Sequence, residues 1–425
     1  MTEAHTSGYR WVILVLACIA SFPMMAGLSS FGIVAPLLQQ KLSLTADQVE
    51  TAGNILTWGL WFGFGLSSFF IARLGIKKTL LCGLLLVALP QFLIPMATSF
   101  QAVLALRVIQ GLCSMCIPVL FAYVAGSGWF SAREGGIATG LFLGGINCGA
   151  FFGDAVANAL VSQGLDTTMF VMGAFALAVL ALCAMGLRTP AAATQPAATA
   201  KAVEADAAAA SRSIFAYKET WLLLLLFIPM CTPYWAVPII WPQYAKSLGF
   251  DAGQITTINL WVSIVGFIAV IGGVVSDGML RKTGNVVRSR LGCILVFMII
   301  AFIGMFAAAG VDSLSPMILT MILAGACYAA IAVYWTLLGV VYPPDPELNG
   351  KAASLLTFVG NSPVVFLTPL SAWIAGKSSW SAAFVEMAVV AVIVMLPTLY
   401  ALKKMIAAKQ RGTLEQRAAA QPVAG

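Results

Sequence analysis

From Trp11 to Leu38 no charged side chain interrupts the chain. A run of that length exceeds the roughly 20 apolar residues needed to cross about 30 Å of hydrocarbon. It is also too long for the apolar core of a secretory signal and lacks a clear small-x-small cleavage site, so it is expected to be a retained first span. The same pattern recurs along the chain. Of 425 residues, 60% are hydrophobic and 9% are charged, with a mean hydropathy of +0.95. A soluble domain carries about 25% charged residues, so this chain must be solvated mainly by lipid. The net charge of +7 is scattered between apolar runs, which argues against nucleic acid as a partner.

Reading from one polar interruption to the next gives twelve expected spans. The first six are 10–38, 48–73, 78–98, 101–128, 135–162 and 168–187. The second six are 217–245, 252–280, 290–311, 315–342, 350–375 and 380–402. Between the sets lies "TPAAATQPAATAKAVEADAAAASRS", rich in alanine and without aromatic residues. It cannot bury a core and reads as a mobile or partly helical linker. The expected organisation is a six-helix bundle over 1–188, a linker over 189–213, a second bundle over 214–404 and a tail over 405–425. With both termini in the cytoplasm, the outer loops receive only Lys41, Lys246 and Lys377, Arg107 falls within a span, and every other base lies inside. That segregation is the positive-inside pattern of a plasma (inner) membrane protein.

Enzyme chemistry finds little support. Cys113 and Cys116 form a CxxC, but within the apolar "GLCSMCIPVL", and the single histidine, His5, lies in the leading tail. No P-loop, His-based metal motif or Ser-His-Asp set is present, so no cofactor, metal or catalytic group is expected.

The polar interruptions repeat. "GGVVSDGMLRKTG" (272–284) ends the eighth span and "SFFIARLGIKK" (68–78) ends the second. Asp277 and Ala72 stand 205 residues apart, and "GIATGLFLGGIN" (136–147) matches "GKAASLLTFVGN" (350–361) at an offset of 214. Two similar six-span units joined by a linker indicate duplication, as in rocking transporters.

These marks resemble the loop motif of the major facilitator superfamily, G-x3-D-(R/K)-x-G-x-(R/K)-(R/K). Arg73, Gly75, Lys77 and Lys78 fit the first copy, while Ser68 and Ala72 replace its glycine and acid. The second copy keeps Gly273 and Asp277, with Arg281, Lys282 and Gly284 nearby. "RVIQG" (107–111) is similar to the family's R-x-x-Q-G pattern, and "WFSAREGGIATG" (129–140) resembles the organic-anion branch. The resemblance implies an all-α membrane protein of twelve transmembrane helices in two pseudo-symmetric six-helix halves. It also implies alternating access, as symporter or antiporter, with the first, fourth, seventh and tenth helices lining the path. Independently of the family, Asp277 at its helix end is placed to accept from a neighbouring helix N-terminus or from Arg281. Asp277, Arg281 and Arg73 are thus the expected elements of a conformational latch, with plain positive-inside anchoring as the alternative.

Charged residues inside spans are functional candidates by default. Arg107 and Asp154 are expected at similar depth, about 9 and 13 Å from the outer side, and are expected to pair, either structurally or to carry a coupling proton. Glu386 in the last span fits interfacial snorkelling or a local partner. Asn147 and Asn361 occupy matching repeat positions about 16–20 Å deep, suited to a solute oxygen or to an interhelical hydrogen bond. The seventh span carries Pro229, Pro233, Pro238 and Pro242 and is expected to bend. The family layout would bring Phe22, Met25, Tyr123, Tyr234, Trp235 and Tyr328 near the path, with Trp58 and Trp61 from the second span.

The expected protein is a monomeric secondary transporter of a small organic solute. Arg107 and the positive balance tilt the substrate toward an organic anion, a carboxylate, with a proton or counter-substrate as coupling partner. Efflux of an amphipathic, drug-like compound is the alternative, and a non-transporting membrane sensor is the alternative of another class.

Overall fold

The computed structural model describes residues 8–126, 129–188, 214–343 and 345–419, and they are helical with no strand among them. The expected linker, 189–213, lies outside the described residues. In chain order the helices are α1 (Tyr9–Ser29), α2 (Phe31–Leu42), α3 (Ala46–Leu93), α4 (Phe100–Gly111), α5 (Cys116–Phe121), α6 (Gly135–Leu160) and α7 (Leu165–Gly186). The second half has α8 (Lys218–Ser247), α9 (Ala252–Val265), α10 (Ile268–Thr283), α11 (Gly292–Ala308), α12 (Leu314–Ala324) and α13 (Ala326–Trp335). It ends with α14 (Leu338–Val341), α15 (Pro346–Gly360), α16 (Pro363–Lys377) and α17 (Trp380–Ala419). The last helix runs past the expected end at 404.

Ten helices among the described residues are long and apolar enough to cross a membrane. Large apolar side chains such as Val15, Phe69, Met185, Ile303 and Ile393 stand on the outer surface, as lipid solvation requires. Among the places that depart from simple rods, two bear on the halves' organisation. Within α3, Gly75 has φ +77° and ψ 168°, a conformation open to glycine because it lacks Cβ. Between α9 and α10 the helix breaks at Gly266 and Phe267.

The helices that lead to the two loop marks open with the same capping chemistry. Thr45 and Gln48 form a reciprocal capping box at the start of α3, and Asp251 and Gln254 form another at the start of α9. Each box satisfies backbone N–H groups that the first helical turn leaves without partners. Each opens the helix that leads to one of the two loop marks.

The proline-rich seventh span is a single helix. Pro229, Pro233, Pro238 and Pro242 all lie within the unbroken helix α8. Thr232 Oγ1 donates to the Ile228 carbonyl on the same helix, which satisfies the hydroxyl internally.

Packing follows small residues. Gly149 meets Phe22 and Gly153 meets Ala26 where α6 lies on α1. Between the halves, α6 packs on α10, and α15 packs on α3. A cavity is left between these paired contacts.

Candidate functional site

The cavity has a volume of about 420 Å³ and takes its walls from both halves. Asn147 and Asn361 both line it, as do Met25, Tyr234, Trp235 and Tyr328. Asn147 Nδ2 donates to Leu143 O at 2.9 Å, and Asn361 Nδ2 donates to Thr357 O at 2.9 Å. Each amide therefore has one N–H on its own helix and a second N–H beyond it. Trp235 Nε1 donates to Asn361 Oδ1 at 2.9 Å. The Tyr234 ring lies 5.1 Å from Trp235 and 4.7 Å from Tyr328. Asn147 presses against the bare backbone of Gly266, at the α9–α10 break, so the break admits a side chain from the opposite half.

Four expected cavity residues lie elsewhere. Tyr123 is fully buried in the π-helical turn Ala122–Gly126. Phe22 packs on Phe152 with ring centroids 6.0 Å apart. Trp58 faces outward. Trp61 stacks on Phe358 at 4.7 Å and donates from Nε1 to Phe358 O at 2.8 Å, joining the halves rather than lining the path. In the second span Trp58 and Trp61 turn toward lipid and α15, whereas Leu60 and Phe64 are the side chains that face the cavity. Conversely, Asn259 and Trp335 line the cavity and were not expected. An amide inside the apolar "TTINLWVSIV" was the available signal for Asn259.

The expected Arg107–Asp154 pair is not formed. Arg107 is buried and donates from Nε to Ala52 O at 3.1 Å and from Nη1 to Gly27 O at 3.1 Å. It also reaches Gln110 Oε1 at 2.6 Å and lies 4.0 Å from the centre of the Phe31 ring. At the depth of Arg107 the fourth and fifth spans are separated. α4 packs on α3, α6 packs on α1, and α1 stands between Arg107 and Asp154. Arg107 thus ties three spans together through backbone carbonyls. Asp154 lines the cavity, where Ser29 is its hydrogen-bonding neighbour and its Oδ1 has no partner.

At one end of the bundle the halves close on each other through the second loop mark. Gly136 N donates to Asp277 Oδ1 at 3.0 Å and Ile137 N donates to Oδ2 at 2.7 Å. These are unpartnered donors of the α6 N-terminus, which favours an anion. The basic partner of Asp277 is Arg290, with Nη1 at 2.6 Å from Oδ1, and both side chains are buried. Arg290 also donates to Ser276 Oγ at 2.8 Å and, across the halves, to Ala132 O.

Arg281, the expected partner, instead donates to Arg133 O from Nε at 3.3 Å and Nη2 at 3.1 Å. It crosses the halves but does not touch the acid. Arg73 is exposed over Phe69, 4.8 Å from its ring centre, and takes no part in the closure. The reason is local: the π-helical turn Val287–Leu291 aims Arg290 inward, which a reading of charge near the mark could not locate.

Two helical halves around a shared mid-depth cavity, closed at one end by buried polar contacts, define a membrane transporter rather than an enzyme. The chain belongs to the Major Facilitator Superfamily, whose family profile matches residues 17–367. A search of curated proteins by sequence finds no match. Among solved structures, the chain is similar to the superfamily's proton:xylose symporter XylE, bound to 6-bromo-6-deoxy-D-glucose. The TM-score is 0.70 at 16% identity, over 92% of this chain and 95% of that one. It is also similar to FucP in the outward conformation, with a TM-score of 0.67 at 15% identity, over 93% and 99% of the two chains. A further FucP structure, of the E. coli fucose:proton symporter, gives 0.65 at 14% identity over the same shares. At these identities the likeness establishes the fold.

Proposed function

We propose that this chain is a twelve-span secondary transporter that moves a small uncharged or basic organic solute by alternating access, coupled to a proton at Asp154. The carrying observation is the charge of the cavity wall. Among the described residues, Asp154 supplies its charged side chain, and Arg107, the base behind the organic-anion expectation, is held outside it. An acid without a basic partner repels a carboxylate and attracts a cation or a proton. The aromatic wall of Trp235, Tyr234, Tyr328 and Trp335 suits an apolar or ring-shaped body, and the second N–H groups of Asn147 and Asn361 suit its oxygens. XylE and FucP are proton symporters, which supports coupling to a proton.

Twelve spans follow from dividing the long helix and joining the broken one. As a straight rod, the 48 residues of α3 would reach about 72 Å, more than twice the hydrocarbon thickness, so Gly75 is where the chain turns back. α9 and α10, with 14 and 16 residues, cross together as one broken span. The bases at the loop-mark end favour cytoplasmic termini and a plasma (inner) membrane location. One chain encloses the whole cavity, which favours a monomer.

An organic carboxylate is the second reading. It rests on the amide donors Asn147, Asn259 and Asn361, which line the same cavity, and on the positive balance of the chain. Full-length protein in proteoliposomes, offered labelled neutral, amine and carboxylate solutes with and without a pH gradient, separates the two. The proposal expects uptake of a neutral or amine solute, accelerated by the gradient, and loss of that acceleration with retained counterflow in Asp154→Asn. Saturable uptake confined to carboxylates would replace it with the anion reading.

A further inference from the structure

We infer that the groove between α11 and α17, at the loop-mark end, is a binding site for an anionic phospholipid. The groove encloses about 500 Å³, with Leu295 and Leu396 in its floor and Arg288 and Lys403 on its rim. Among the described residues, none that lines it is acidic. Tyr400 lines it as well, and Lys404 lies over that ring, 4.6 Å from its centre, extending the basic rim. Leu396 and Tyr400 are 46% and 59% exposed, so the floor opens directly onto the lipid-facing surface.

The π-helical turn that builds the latch also builds this site. Arg290 is buried and points at Asp277, while Arg288, two residues earlier, is exposed. Residues two apart on a helical turn face nearly opposite sides. Asn285 Oδ1 accepts from Arg288 N at 2.9 Å and fixes the turn. A guanidinium and an ammonium lining one groove complement a phosphodiester in charge and in hydrogen-bond donors. The apolar floor beneath them matches an acyl chain, which a free phosphate would leave uncovered. Basic pockets between spans are suited to anionic headgroups. The groove along the outer part of the same helix is lined by Glu386 instead, so α17 presents opposite charges toward its two ends.

The test is native mass spectrometry of the full-length protein in detergent, titrated with dioleoyl phosphatidylglycerol or dioleoyl phosphatidylcholine. Phosphatidylglycerol should bind more tightly, and Arg288→Ala with Lys403→Ala should weaken it about thirtyfold, as about 1 kcal/mol per base requires. Lys77→Ala with Lys78→Ala removes the same charge at the same end and should leave binding unchanged. Should the first double variant not remain monodisperse, Arg288→Gln alone should weaken binding about fivefold. Equal binding of the two lipids, equal loss in both double variants, no loss in Arg288→Gln, or displacement of the lipid by inorganic phosphate would overturn the assignment.

Discussion

The two junctions between the halves occupy matching positions of the sequence repeat and are held by different chemistry. Where α10 meets α6, a buried ion pair and a helix N-terminus converge on Asp277. The backbones there come close enough that a methyl group on Gly273 would strike the Gly136 carbonyl, and one on Gly140 would meet Ala269 O at 2.7 Å. At the junction of α3 with α15, the equivalent positions hold hydroxyls. Ser354, equivalent to Gly140, donates to Phe64 O at 2.6 Å and accepts from Ser68 N at 2.8 Å. Ser68, equivalent to Gly273, donates to Lys351 O at 3.2 Å. Ala72, equivalent to Asp277, is exposed. One junction is therefore charged and reads a helix terminus, and the other is neutral and reads carbonyls. A buried charge is costly when left alone, whereas a hydroxyl contact is worth about 1 kcal/mol. Of the two, the α10–α6 junction is built to be all-or-none.

The largest expected effect breaks the charged side. Asp277→Ala leaves Arg290 buried without its acid and should destabilise the protein by about 3–5 kcal/mol, read by thermal unfolding in detergent. An unchanged melting temperature would mean that water or another acid compensates Arg290. Next, Gly273→Ser gives the charged junction its counterpart's residue. Overpacking against Gly136 should cost about 1–3 kcal/mol, and adding Gly136→Ala in the same chain should not relieve it. Ser354→Ala on the neutral side removes hydroxyl contacts and should cost about 1 kcal/mol in the same assay. The smallest effect belongs to Ala72→Asp. An exposed position facing no buried base should change stability by about 0.5 kcal/mol or less. A large gain there would show that the first mark retains a latent latch.

The sequence made much of this visible, for identifiable reasons. Uninterrupted apolar runs marked the helices because lipid tolerates few charges. The repeat placed Asn147 and Asn361 at equivalent depths, and both reach the cavity. Asp277 stands where two halves meet, as a lone acid at a helix end suggested. What failed were the lateral relations. Arg107 and Asp154 share a depth on consecutive spans, yet α1 separates them, because chain order does not give neighbour order in a bundle. Arg281 stands nearer to Asp277 in sequence than Arg290 does, yet a π-helical turn decides which base enters the interior. The reciprocal caps Thr45–Gln48 and Asp251–Gln254 were legible as S/T/D-x-x-Q spacings and would have anchored the repeat more firmly than the loop marks.

The central claim is that closure at the loop-mark end rests on Asp277 and not on the neutral junction. Hydrogen–deuterium exchange of the full-length protein in nanodiscs tests it directly, through the amides of Gly136 and Ile137 that donate to Asp277. In Asp277→Asn those amides should exchange at least about tenfold faster, the loss of about 1.4 kcal/mol or more of protection, while amides of α15 stay near their wild-type rate. Equal acceleration at both junctions, or none at Gly136 and Ile137, would contradict the account.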